Sequence, residues 1–157
     1  MSSGLKNKFT ELYHSYHPMV KQICLGFVRG DEDQANDISQ DVFINVWNGL
    51  GNFRSKSGYK TWIYRITVNS CLNHIRREKT KEMPPQSQMM DDDASMYDKL
   101  YEAIGDLPEL DRLLIMMFLD GLSHQEISEV TGLSSTNIRV KIHRIKNKIK
   151  NKIDHES

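Results

Sequence analysis

Apolar residues in this 157-residue chain recur at intervals of three and four and nowhere alternate in the manner of a strand. A chain with that spacing can bury itself only as packed amphipathic helices. The first stripe, Leu5, Phe9, Leu12, Tyr13, Tyr16, Val20, Ile23, Cys24 and Phe27, predicts a helix over 5–29 that Pro18 should break or kink near His17. Gly30 and Asp31 end it and cap a second helix, which carries Ala35, Ile38, Val42, Val46 and Leu50 on one face, with Phe43 and Trp47 widening the stripe. Gly49 and Gly51 stop that helix. Beyond the polar loop Ser55-Lys56-Ser57-Gly58, the residues Tyr59, Trp62, Ile63, Ile66, Cys71, Leu72 and Ile75 mark a third helix running to about Glu78.

From Thr80 to Ala94 the periodicity disappears into Pro84-Pro85 and Asp91-Asp92-Asp93, the composition of an extended, hydrated linker. Fifteen such residues reach roughly 50 Å when extended, so the modules on either side need not touch. Helical spacing resumes with Met96, Leu100 and Ile104. Pro108 then opens a helix bearing Leu110, Leu113, Leu114, Met117 and Phe118, and Gly121 closes it. The expected fold is all-α: two small helical domains, an N-terminal bundle over 1–79 and a C-terminal helix-turn-helix bundle over 95–157, joined by a flexible acidic linker over 80–94.

Ser123-His124-Gln125-Glu126 is a capping box that starts a short helix, and Thr131-Gly132-Leu133 turns into a longer one capped by Ser134 or Ser135. Short helix, glycine turn and longer helix form the helix-turn-helix arrangement, whose second helix lies in the major groove. In that helix Ile138, Ile142, Ile145 and Ile149 share one face. Arg139, Lys141, Arg144, Lys146, Lys148, Lys150 and Lys152 fall mainly elsewhere, and 133–153 contains no acid. Like charges at helical spacing repel, so seven unbalanced cations imply an anionic partner over a merely solvated face. Residues early in such a helix reach base edges, which makes Ser135, Thr136, Arg139, Val140 and His143 the base-side candidates, while Lys141 and Arg144 hold the backbone.

The net charge of zero conceals strong segregation. Residues 1–50 carry net −2, 51–81 net +7, 82–111 net −8 and 112–157 net +3. Two basic stretches around an acidic one suit a protein that meets a polyanion at two places, although solvated helix faces would produce the same outline. In the first basic stretch, Arg65, Asn69, Asn73 and Arg76 recur at four, four and three opposite the apolar stripe. Phe53, Tyr59, Trp62 and Tyr64 surround the neighbouring loop, where they would either stack on unpaired bases or pack as core. On the second helix Asp37, Gln40, Asp41, Ile44, Asn45 and Asn48 lie off the core stripe, and an exposed Ile44 there suggests a protein interface or a solvated face.

Three segments resemble a known family. DISQDVFINVWNGL at 37–50 is similar to the core-polymerase-binding region of bacterial sigma factors. YKTWIYRITVNSCLNHIRRE at 59–78 resembles their promoter-melting region, and 107–150 resembles their C-terminal helix-turn-helix. Two such regions with a short linker match the extracytoplasmic-function (ECF) subfamily. The resemblance implies that Asp37, Gln40, Asp41, Phe43, Ile44 and Trp47 lie in the segment that docks on core RNA polymerase. It implies a minus-ten element read by Phe53, Arg54, Lys56, Tyr59, Trp62, Tyr64, Arg65, Asn69, Arg76 and Arg77, with a flipped base captured by the 53–59 loop, Arg65 and Asn69. It implies a minus-thirty-five element faced by Ser135, Thr136, Arg139, Val140, Lys141, His143 and Arg144, a linker running through the polymerase channel, and an anti-sigma factor, in some cases membrane-anchored. The recognition helix departs from its relatives at Ser135-Thr136-Asn137 and at Val140, which leaves promoter preference open.

Other classes find little support. The chain has no glycine-rich phosphate loop, no nucleophile elbow and no acid pair in a cleft-forming context, so neither catalysis nor a small-molecule substrate is expected. His14 and His17 lack a ligand partner at metal spacing, and no metal or cofactor is expected. Cys24 and Cys71 lack C-x-x-C spacing and are expected as reduced, buried packing residues of a cytoplasmic protein. A free-standing helix-turn-helix regulator would share the C-terminal half but needs a dimerisation surface, and no heptad supplies one. Binding of the chain to duplex DNA should weaken steeply, by an order of magnitude or more between about 50 and 200 mM salt, measured by fluorescence anisotropy; a flat response would remove the basic helix as the contact.

Overall fold

The computed structural model describes residues 3–54, 58–80 and 96–156. Lys56 and nearly all of the expected linker fall outside them. The described residues form seven α-helices and no strand: α1 (Ser3–Phe27), α2 (Glu32–Leu50), α3 (Gly58–Thr80), α4 (Met96–Gly105), α5 (Glu109–Leu119), α6 (His124–Thr131) and α7 (Ser135–Glu156). The fold is all-α.

The helix ends sit where local chemistry sets them. Asp31 caps α2, its carboxylate accepting from the Gln34 amide N–H at 3.1 Å and from the Gln34 side chain at 2.8 Å. These bonds hold the Asp31 carboxyl below its ordinary value, the Gln34 side chain contributing most. Ser123 and Glu126 close the capping box reciprocally at 3.1 and 3.0 Å. Ser134 caps α7, because its Oγ accepts from the Asn137 N–H at 3.1 Å.

At Pro18 the structure departs from expectation: α1 runs through it without a break. Pro18 and His14 are both on the outer side of the helix, so the carbonyl that has no i→i−4 donor is on a face open to water. Buried Leu12, Val20, Ile23, Cys24 and Phe27 anchor the helix on both sides of the missing bond.

Helices α1–α3 pack as one bundle, and α7 lies across α4, α5 and α6 to make a second. Cys24 and Cys71 are buried free thiols in the first, with Cys71 pushed up by its hydrogen bond to Cys24 and by burial. The bundles meet, although the segment between them is long enough to let them stand apart. α5 and α4 lie on α1, and α6 lies on α3. One close approach is at Gly26, where a Cβ would fall 2.2 Å from Met116 Sδ. A bare Cα in α1 is therefore what admits the Met116 side chain of α5, and both residues are buried. Next to it Arg112 donates to the Phe27 carbonyl at 3.2 Å and to the Leu107 carbonyl at 2.9 Å, with its guanidinium 5.7 Å from the Phe27 ring centroid.

The helix-turn-helix corner depends on two local devices with separable costs. Ser123→Ala should destabilise the chain by about 1 kcal/mol through removal of the cap. Gly132 ends α6 at φ 81°, so Gly132→Ala should cost about 1–2 kcal/mol through left-handed strain. Urea unfolding followed by circular dichroism measures both.

Candidate nucleic-acid interface

The recognition corner is fixed from α6. After Gly132, the Leu133 N–H donates to Thr131 Oγ at 3.2 Å, and Ser128 Oγ donates to the Leu133 carbonyl at 2.6 Å. These bonds set the angle at which α7 leaves. Ile138, Ile142, Ile145 and Ile149 are buried against the rest of the unit. That leaves Thr136, Arg139, Val140, His143 and Arg144 exposed on the opposite side, with Ser135 and Lys141 half-buried beside them. Val140 stands 44% exposed among polar neighbours, an apolar contact point of the kind that meets a thymine methyl.

The cations of α7 are not equivalent. Lys146 lies over the Phe118 ring at 4.2 Å, and Lys152 pairs with Asp106 of the α4–α5 turn. Both are turned toward protein, a division that charge counting along the helix does not reveal.

In the first unit Phe53 stacks on Tyr59 with centroids 4.3 Å apart and lies 4.8 Å from Trp62, while Lys8 covers Tyr59 at 4.5 Å. Tyr59 and Trp62 are half-buried, so one cluster serves as both core and platform, and Arg54 is exposed next to it. Arg65, Asn69, Asn73 and Arg76 form a strip along α3, exposed at all four positions. Tyr64 belongs elsewhere: it is buried away from the aromatic cluster, and its hydroxyl donates to Asp120. Burial, then the Asp120 carboxylate, raises the Tyr64 phenol far above its ordinary value. Arg77 pairs with Asp41 at 3.0 Å, which ties the strip to the outer face of α2.

On that face Asp37 and Gln40 are exposed, Asp41 and Trp47 are half-buried, Phe43 is core, and Ile44 is 56% exposed. Ile44 borders a groove of about 570 Å³ whose other wall is Phe9, Tyr13 and His17 of α1. Tyr13 stacks on His17 at 4.7 Å and meets Phe43 at 4.9 Å, and Phe9 meets Trp47 edge-on at 5.3 Å. Sequence reasoning places this surface on α2 alone. The signal it passes over is an aromatic ladder on α1 at positions 9, 13 and 17, spaced by four so that the rings share one side of the helix.

Comparison with known proteins falls along the same division. Sigma-70 region 2 matches residues 12–81, and Sigma-70, region 4 matches 97–149. The chain is 30% identical over 127 residues to the RNA polymerase sigma-H factor of Pseudomonas aeruginosa, covering 81% of this chain and 64% of that protein's length. It is 26% identical to the ECF RNA polymerase sigma-E factor of Haemophilus influenzae, covering 98% of this chain and 91% of the relative. It is also 26% identical to the ECF RNA polymerase sigma factor SigW of Bacillus subtilis, at 92% and 88% coverage. The fold matches the sigma factor RpoE, solved in complex with the anti-sigma factor NepR from Bartonella quintana, at a TM-score of 0.78 and 18% identity over 94% of this chain and 97% of that one. It matches CnrH, solved with the cytosolic domain of CnrY, at 0.73 and 21% over 97% and 91%.

The unequal cations carry a measurable consequence. Arg139→Ala and Arg144→Ala should each weaken duplex binding and lower the slope of log affinity against log salt, by about 1 for each phosphate no longer neutralised. Lys152→Ala should leave that slope unchanged, as read by anisotropy titrations of the full chain.

Proposed function

The chain belongs to the sigma-70 family, in its extracytoplasmic-function branch, and from that premise we propose that it binds core RNA polymerase and directs promoter-specific transcription initiation. The observation that carries this reading is the presence, in one chain, of a basic helix free of acids up to residue 153 with an open base-side face and an aromatic groove rimmed by exposed Ile44. The first suits a DNA major groove and the second a protein partner.

In this reading residues 1–79 act as region 2, 80–94 as the linker and 95–157 as region 4. Asp37, Gln40, Asp41, Ile44 and Trp47, with Phe9, Tyr13 and His17 of α1, dock the polymerase, and Phe43 holds the groove floor from the core. Phe53, Tyr59 and Trp62 offer a stacking platform for unpaired bases of the minus-ten element. Arg54, Arg65, Asn69, Arg76 and Arg77 follow its backbone, joined by Lys56 outside the described residues. On α7, Arg139 suits guanine, Val140 a thymine methyl, and Lys141 and Arg144 the phosphates of the minus-thirty-five element, with Ser135, Thr136 and His143 alongside.

The chain itself performs no chemistry: it positions an enzyme. No helix among the described residues is long and apolar enough to cross a membrane. A cytoplasmic site of action follows from the reading itself, because core RNA polymerase and promoter DNA are there. An anti-sigma factor, in some cases membrane-anchored, is the expected inhibitor; the relative solved with an anti-sigma partner supports this reading.

The test is run-off transcription. Purified chain added to core RNA polymerase lacking any sigma factor should direct initiation from a subset of a promoter library, and Ile44→Glu should abolish it while leaving thermal stability within about 0.5 kcal/mol, as expected for an exposed site. Failure to initiate anywhere would overturn the reading, and initiation undiminished by Ile44→Glu would remove the groove as the docking surface.

A further inference from the structure

The first turns of α1 lie beside the aromatic platform and bring a cation to it. Residues 3–10 hold Lys6 and Lys8 and no acid, a local excess concealed by the net −2 of residues 1–50. Lys8 also precedes the 12–81 segment that matches Sigma-70 region 2. Two apolar neighbours on the same helix fix where it stands. Leu5 reaches the end of α2, its Cδ1 3.9 Å from where a Cβ on Gly51 would fall, and Phe9 meets Trp47 edge-on at 5.3 Å. A packed helix therefore presents Lys8, and groups carried on rigid elements are held in place more closely than groups on loops.

The Lys8 ammonium sits 4.5 Å from the Tyr59 ring centroid, against the negative face of the π-system. Its carboxylate neighbour Glu11 is 3.7 Å away, beyond hydrogen-bond length, and two-thirds exposed. A surface pair of this kind is weak and yields to a better acceptor. The ring holds the ammonium on one side, and its remaining N–H donors are available to an anion.

Tyr59 is one layer of a stack: Phe53 lies 4.3 Å from it at 20°, and Trp62 lies 4.8 Å from Phe53. A base that joins this cluster brings a backbone whose phosphates follow one another at about 3.4 Å of stacked strand. The phosphates flanking such a base come within reach of a flexible lysine stem held over Tyr59. Arg54 is exposed at the same cluster, so cations from two elements, α1 and the loop after α2, serve one platform.

We propose that Lys8 is a further single-strand contact: a phosphate-binding cation that α1 lends to the platform, holding the backbone of the strand whose bases lie on Phe53, Tyr59 and Trp62. This deepens the reading of those rings as a stacking platform and rests on it. A phosphate contact carries no sequence information, so Lys8 sets how tightly a melted strand is held and not which bases are chosen.

Anisotropy titrations of the full chain with a random single-stranded DNA 12-mer, between about 50 and 200 mM salt, test the contact. Lys8→Met keeps the straight apolar stem and removes the charge. It should lower the slope of log affinity against log salt by about 0.7, the single-strand value for one phosphate, so that this rise in salt costs the variant about 2.6-fold less affinity than it costs the parent. Lys8→Gln, a second neutral variant, should do the same. Lys8→Arg keeps both the charge and the contact with a tyrosine face and should restore the parent slope. Lys6→Met removes the same charge from the opposite side of α1 and should leave the slope unchanged. The contact is overturned if both neutral Lys8 variants keep the parent slope while Tyr59→Leu weakens 12-mer binding, for then the platform holds bases without help from α1. It is equally overturned if Lys6→Met lowers the slope as much as Lys8→Met, since the effect is then one of net charge. If Tyr59→Leu leaves 12-mer binding unchanged, the stacking platform itself falls and the Lys8 contact with it.

Discussion

The arrangement of the two units depends on bare Cα atoms at their junction, Gly26 facing Met116 and Gly105 facing Arg29. Gly26 lets Met116 reach the backbone of α1, and any side chain there would force the Met116 side chain to shift. Because α5 is packed on α6 and α7, that approach also fixes where α6 meets α3. A glycine inside a helix costs about 1 kcal/mol relative to alanine. Here the cost is offset by an approach that joins two bundles into one continuous apolar interior, running from Leu12 through Phe27 to Ile115 and Met117.

The junction combines two kinds of interaction with different responses. Burial of Met116 and Phe27 is indifferent to salt, whereas the Lys60–Glu126 pair is solvent-exposed and contributes little at physiological ionic strength. The junction is therefore apolar where α5 meets α1 and polar where α6 meets α3.

Legibility from sequence followed the range of the interaction. Caps at Asp31, Ser123 and Gly132 were readable because donor, acceptor and turn residue lie within a few positions of each other. The amphipathic faces of α2 and α7 were readable because periodicity alone decides which side is buried. Tyr64 and Arg65 were not, since their surroundings are supplied by Asp120 and Glu129, 56 and 64 residues away. Pro18 misled for a related reason: a local rule predicts a break, while flanking burial and an open solvent face let the helix continue. The groove between α1 and α2 was half legible, as the exposed Ile44 marked one wall and the ladder Phe9, Tyr13, His17 reads as ordinary core until the helices are placed side by side.

The acidic block looks in the sequence like a linker property, yet part of it belongs to folded elements. Asp106 neutralises Lys152, and Glu109 and Asp111 occupy the first turn of α5, where the helix dipole favours negative charge. Asp120, Glu126 and Glu129 extend the same role across the junction, two carboxylates and one backbone carbonyl meeting Tyr64, Lys60 and Arg65 of α3. The neutral total of this chain is then more than an average over separate blocks. Acidic groups of the second unit lie against donors of the first, and a nucleic acid that takes those donors must displace partners the protein already supplies. A strongly basic chain would bind any polyanion it met. Here part of the donor surface of α3 is already met by the protein itself.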